Sequence, residues 1–188
     1  MAVTWTMEVA HTGVVDGIPV IWRLPRQRRT DQALALWLPA LGMDKEGVGP
    51  FLDDLAAAGW VAVSLDLWQH GQRRSESAGS IRSRVFGSYR RYKWPILGQT
   101  TLDALRVIDW AAGELAAGNT VVAGGVSLGG EVAVSLSGIE PRVVRVAAIG
   151  ASPDWTSPEM HGFDNPSELL PPGHADAYAS GSTISSIR

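Results

Sequence analysis

The sequence predicts an α/β domain: a mostly parallel sheet with helices on both faces and an antiparallel hairpin at its N-terminal edge. Three observations predict it. Short apolar runs alternate with segments of helical period, as in strands joined by crossover helices. Asp16-Gly17, a tight-turn pair, lies between two β-rich runs. The 188 residues are 45% hydrophobic and 19% charged, enough apolar material for one core. A single domain over 1–188 is the economical reading.

In order along the chain, Val14 to Val20 reads as the hairpin. Ala33 to Leu38 is a short apolar run stopped by Pro39, the mark of a buried strand. Pro50 to Gly59 reads as a helix with Phe51, Leu52, Leu55 and Ala56 on one face, closed by Gly59. Trp60 to Leu65 is the next buried strand, ending at Asp66. Residues 73–99 show no clean period and read as an irregular arginine-rich excursion. Thr100 to Ala117 forms the clearest helix, with Leu102, Leu105, Val107, Ile108 and Leu115 inward and Gly118-Asn119 as its stop. Thr120 to Ala123 is a strand, Ser127 to Leu136 a helix, and Val143 to Ile149 a strand. The core thus runs over 14–155. The tail, 152–188, is proline-rich and ends in a strand-like Ser182 to Ile187.

Charge and composition narrow the function. A net charge of -3 gives no electrostatic case for nucleic acid or an anionic membrane as partner. Absence of cysteine excludes disulfides, thiolate metal sites and a cysteine nucleophile, and suits a reducing compartment. The N-terminus lacks the pattern of a secretory signal, and no run of about 18 apolar residues suggests a membrane span. The cytoplasm is the default location. No His and carboxylate cluster has ligand spacing and no cofactor motif occurs, so neither a metal nor a cofactor is expected. A homo-oligomer is compatible with all of this.

The informative segment is Val121 to Glu131, which holds Gly125-Val126-Ser127-Leu128-Gly129. A G-x-S-x-G pentapeptide is weak evidence alone. Here an apolar strand leads into it and a helix follows, the setting of a nucleophile elbow. A serine at the apex of so sharp a turn needs strained backbone angles, and side chains at the flanking glycines would strike neighbouring backbone. The turn also sets the hydroxyl at a helix N-terminus, where amide groups favour negative charge. Leu128 N–H then becomes one oxyanion donor. The second is expected from the loop after the third strand, at Leu41, with Gly42 as runner-up. The bland alternative is a glycine-rich turn in which Ser127 merely caps the helix.

These blocks resemble the α/β-hydrolase superfamily, in particular its dienelactone-hydrolase-like and prolyl-oligopeptidase-like esterases. Leu38-Pro39-Ala40-Leu41-Gly42 stands where such proteins carry H-G-x-G; Ala58 to Asp66, Gln69-His70-Gly71-Gln72-Arg73, and Gly125 to Gly130 match further blocks. Ile149 to Trp155 is similar to the segment after the sixth strand. The resemblance covers about Val14 to Trp155. It implies ester or acyl hydrolysis through an acyl-enzyme, with the order serine, acid, histidine along the chain. There are two departures. Pro39-Ala40 replaces His-Gly, and the strands that carry the acid and histidine in that family have no counterpart here. The expectation is a chain truncated before them, and nearly inactive as it stands.

Candidates for acid and base within the chain are Asp154 or Asp164 with His161 or His174, against the reading of each histidine as a solvated loop residue. His11 reads as structural; for His70, near the site, the resemblance implies a loop-orienting role, with a base role as the lesser alternative. In the arginine-rich stretch, Arg82 and Arg90 could form a pocket for a carboxylate-bearing ester, because guanidinium pairs bidentately with carboxylate. The bland reading of that stretch is a solvated lid or subunit contact. The expected function is a serine hydrolase of a small-molecule ester or acyl substrate. Its rivals are a catalytically incomplete hydrolase-like binding or interaction protein, and a peptidase of prolyl-oligopeptidase type.

Overall fold

A computed structural model describes residues 10–29, 31–152 and 154. Six strands form one sheet in the order β1-β2-β4-β3-β5-β6. They are β1 His11–Val15, β2 Ile18–Arg23, β3 Leu34–Leu38, β4 Val61–Leu65, β5 Val121–Val126 and β6 Val143–Ile149. Strands β4, β3, β5 and β6 run parallel, and the β1–β2 hairpin joins antiparallel through β2 and β4. Asp16 and Gly17 both take positive φ, 49° and 80°, the geometry of the two-residue turn that matches strand twist.

Helices α1 Gly49–Ala57, α2 Ala78–Gly87, α3 Tyr89–Glu114 and α4 Leu128–Ile139 fill the connections. The pleat sorts successive residues to opposite faces. Val20 and Val63 join the large core with Ile96, Leu97, Val107, Ile108, Val132 and Leu136 of α3 and α4. Their neighbours Ile21 and Ala62 join a smaller core with Leu52 and Ala56 of α1. Helices thus cover both faces, and every residue of β4 is buried. No helix among the described residues is long and apolar enough to cross a membrane.

Three expectations need correction. Residues 73–99 are not an irregular excursion: they hold α2 and the first part of α3. Ser77 Oγ caps α2 by accepting from Ser80 N–H at 3.1 Å. The inward stripe is Ile81, Val85, Tyr89, Lys93 and Ile96, so a tyrosine and a lysine interrupt its apolar period. Arginines lie on aromatic faces, Arg84 at 4.7 Å from the Tyr92 ring centre and Arg90 at 5.8 Å from that of Trp94.

The inward face of α3 is also rotated from the expected one. Leu102 is exposed, whereas Thr100 and Asp103 are buried. Thr100 Oγ1 accepts from Trp68 N–H at 3.0 Å and Asp103 pairs with Arg73 at 2.7 Å, so polar partners occupy positions the hydrophobic pattern assigned to solvent. Phe51 of α1 is partly exposed, and stacks on Trp37 with ring centres 5.0 Å apart.

Candidate active site

Ser127 stands between β5 and α4 with φ 50° and ψ -117°. A non-glycine residue at positive φ is uncommon, and this combination lies outside the left-handed helical well, so the residue is strained. Neighbouring bonds hold it there. Ser127 N–H donates to Ile149 C=O at 2.8 Å, tying the turn to the end of β6. Ser127 C=O accepts from Glu131 N–H at 3.1 Å, the first bond of α4. The side chain is exposed while Leu128, Gly129 and Gly130 behind it are buried.

The flanking glycines are sterically required. A Cβ on Gly125 would lie 2.6 Å from the Leu38 carbonyl oxygen and from the backbone of Gly129. One on Gly129 would lie 2.3 Å from the same Leu38 oxygen and 2.6 Å from that of Pro39. Backbone atoms on both sides leave no room to yield. The close approach follows from register, since Leu38 pairs with Gly125 in the parallel β3–β5 ladder. It brings the start of the loop after β3 against the elbow.

That loop turns tightly. Met43 N–H donates to Ala40 C=O at 3.0 Å, with Gly42 at φ 81° in the third position of the turn. Leu41 packs half-buried on the large core. Asp66, at the end of β4, fastens the loop from behind. Its fully buried carboxylate accepts from Lys45 N–H at 3.0 Å, Lys45 Nζ at 3.1 Å and Gln72 N–H at 2.8 Å. Burial pulls the Lys45 ammonium down, but its hydrogen bonds to Glu46 and Asp66 outweigh this and hold it above its ordinary 10.5. Gly71, at φ 54°, wraps the same carboxylate so closely that a Cβ would lie 2.0 Å from its oxygen.

Beside this staple lies a small cleft lined by Gly42, Asp44, His70, Gly71 and Arg74 among others. His70 Nδ1 donates to Trp68 C=O at 2.8 Å, leaving Nε2 as the unprotonated nitrogen, buried and without a hydrogen-bond partner among the described residues. Burial holds the imidazole below its ordinary 6.5, so it is neutral near pH 7.

Of the residues singled out in the sequence, Ser127, Leu128 and the loop holding Leu41 and Gly42 come together at the C-terminal ends of β3 and β5. Arg82, exposed on α2, reaches the same place: a Cβ on Gly42 would lie 2.6 Å from its Nη1. Arg90 packs instead over Trp94 within α3. Asp154 exchanges hydrogen bonds with Ser152, donating through N–H to Ser152 Oγ at 3.3 Å. His161, Asp164 and His174 lie outside the described residues. His11 is remote, on edge strand β1, stacked 5.5 Å from Trp22.

Sequence reasoning missed the Lys45–Asp66 staple and a second buried pair, Lys93 of α3 with Glu131 of α4, 2.6 Å apart. The only trace of either is a charged residue inside an otherwise apolar stretch.

No family model matches the chain, and no curated protein matches it. Solved structures do. The protein TT1662 from Thermus thermophilus is 22% identical with a TM-score of 0.70, over 93% of this chain and 68% of that one. A cold-adapted esterase from an Arctic intertidal metagenomic library is 18% identical with a TM-score of 0.55, over 74% of this chain and 58% of its own. A protein described as a dienelactone hydrolase from Klebsiella pneumoniae is 15% identical with a TM-score of 0.59, covering 75% and 59%. The chain therefore spans little more than half of the last two. Strand order, the hairpin edge, the serine turn and these likenesses agree: the chain has the α/β-hydrolase fold.

Proposed function

We propose that the protein is a serine hydrolase of carboxylic esters or related acyl compounds, with Ser127 as nucleophile. The observation that carries this reading is the strained Ser127 backbone, kept in place by glycines that admit no side chain. Strain of this kind persists only where surrounding structure over-determines it, and it exposes the hydroxyl at a helix N-terminus.

In this reading a base removes the Ser127 proton as Oγ attacks the substrate carbonyl carbon. The carbonyl π electrons move to oxygen, and Leu128 N–H with Leu41 N–H, or Gly42 N–H in its place, holds the resulting oxyanion. The tetrahedral species collapses, the C–O bond to the alcohol breaks, and the base returns the proton to the leaving oxygen. Water, activated by the same base, then releases the acid and restores Ser127. His161 or His174, with Asp154 or Asp164, is proposed for base and acid.

The second reading is a hydrolase-like binding protein without catalysis. Its support is that the two described histidines are poorly suited as base: His11 sits on the far edge strand, and His70 is buried in the adjacent cleft. A fluorophosphonate separates the readings. An activated serine labels stoichiometrically and p-nitrophenyl acetate turns over, both lost in Ser127→Ala. Labelling that survives Ser127→Ala, or an unreactive parent chain, overturns the enzyme reading.

A further inference from the structure

His70, in the cleft beside the Asp66 staple, takes no part in the chemistry above. Its side chain lines the cleft and is 2% exposed. Trp68 C=O can only accept, so Nδ1 carries the ring proton and Nε2 is an acceptor. No donor among the described residues reaches Nε2, and a buried acceptor left without one is rare and costly. Nδ1 is turned to Trp68, which lies outside the cleft lining, and this leaves the Nε2 edge of the ring for the cleft.

The space there is small, about 20 Å³, enough for one water-sized group. It adjoins a wider, open depression of about 380 Å³, and Asp44, Gly71 and Arg74 line both. The narrow end thus suits a hydroxyl that donates to Nε2. The wide end decides what carries that hydroxyl.

The charged groups around the two spaces are not equivalent. Glu46 lies 2.8 Å from Lys45 Nζ, and Asp44 accepts from Gly47 N–H at 3.1 Å. Glu76 is paired with Arg84 at 2.5 Å, and Gln69 Oε1 accepts from the same guanidinium at 2.7 Å. Arg74 is exposed at the shared rim, and its side chain has no hydrogen bond or ion pair among the described residues. A free guanidinium is a bidentate receptor for a carboxylate.

We propose that this cleft binds a small carboxylate bearing a hydroxyl group, with the hydroxyl donating to His70 Nε2 and the carboxylate pairing with Arg74. The proposal goes beyond acyl hydrolysis and needs no covalent step. Gly42 and Asp44, from the loop after β3, line the same cleft, so the occupant also holds that loop in its folded place.

The probes are glycolate, 3-hydroxypropionate and 4-hydroxybutyrate, in which the spacing of hydroxyl and carboxylate increases. Acetate, propionate and butyrate are their partners without the hydroxyl, and ethylene glycol lacks the carboxylate. Binding is followed at pH 7.5 by calorimetry and by the NMR signal of His70 Cε1–H, picked out from four histidines by its loss in His70→Asn. At least one hydroxy acid is expected to bind about tenfold more tightly than its hydroxyl-free partner and than ethylene glycol, and to move the His70 signal. His70→Asn keeps an amide N–H that can donate to Trp68 C=O and removes Nε2. It lowers affinity for that hydroxy acid about tenfold and leaves the hydroxyl-free partner within about twofold. Arg74→Gln weakens both acids about tenfold.

Equal affinity for hydroxy acids and their partners, a His70 signal unmoved at saturation, or no binding by any of the three overturns the proposal. So does tighter binding of ethylene glycol than of the acids, or unchanged affinity in His70→Asn. Should His70→Asn not fold, the parent's preference for the hydroxy acid and the loss in Arg74→Gln, a change at an exposed side chain, decide. Fluorophosphonate labelling of Ser127 tests the hydrolase reading separately, so failure of one is distinguishable from failure of the other.

Discussion

Glycine means opposite things at two positions of this chain. At Gly129 an added methyl would penetrate the backbone of β3, 2.3 Å from the Leu38 carbonyl oxygen, whereas at Gly98 in α3 it would meet nothing within 4 Å among the described residues. The prediction follows from the contrast. Gly129→Ala destabilises by about 3 kcal/mol, because a backbone clash forces the elbow off β3. Gly98→Ala is stabilising by roughly 0.5–1 kcal/mol, through helix propensity and a less flexible unfolded chain. Urea unfolding of both variants gives the two signs.

His70 supplies a pH-dependent counterpart at this scale. Burial lowers its pKa below 6.5, against smaller upward pulls from its bond to Trp68 C=O and from Asp66, with Arg84 pushing down and Glu76 up. Between the folded pKa and 6.5 the unfolded chain binds more protons than the folded one. Stability therefore falls as pH drops through that window. His70→Gln removes this contribution, so the fall in Tm between pH 7.5 and pH 5.5 should be smaller in the variant. Equal falls in parent and variant would show that His70 titrates alike in both states.

At the scale of elements, the arginine-rich segment changes meaning once it is helical. An irregular stretch would leave its guanidinium groups in solvent without order. As α2 and α3, the segment stacks Arg84 on Tyr92, pairs it with Glu76 at 2.5 Å, and leaves Arg82, two residues earlier, against Gly42. The helix thereby aims one cation at the loop proposed to hold the oxyanion. Anionic acyl substrates are the class such a side chain favours. Arg82→Ala should lower the ratio of kcat/KM on a succinyl ester to that on a matched neutral ester about fivefold, roughly 1 kcal/mol for a partly solvated contact. An unchanged ratio removes Arg82 from substrate selection.

For the whole molecule, the decisive link is between two loops far apart in sequence. Asp66 fastens the loop after β3 to the loop after β4 through Lys45 and Gln72. Breaking a buried pair by removing one partner costs more than the pair contributes, because the other charge stays behind. Asp66→Asn should therefore destabilise by about 3–5 kcal/mol, read from urea unfolding. A loss under about 1 kcal/mol would mean that Glu46, 2.8 Å from Lys45 Nζ, takes over the ammonium.

The sequence by itself determined the alternating α/β order, the hairpin turn at Asp16-Gly17 and the serine at a strand-to-helix junction. These are local properties. Periodicity, turn propensity and the need for glycine on each side of Ser127 act over a few residues, so they are written where they operate. Only the tertiary structure decided that residues 73–99 are helical, that Arg82 reaches Gly42 while Arg90 does not, and that Lys93 and Glu131 share the ground beneath the elbow. The last two depend on side chains brought together from distant segments, and a buried charge such as Lys93 reads from sequence like any exposed one until its partner is known.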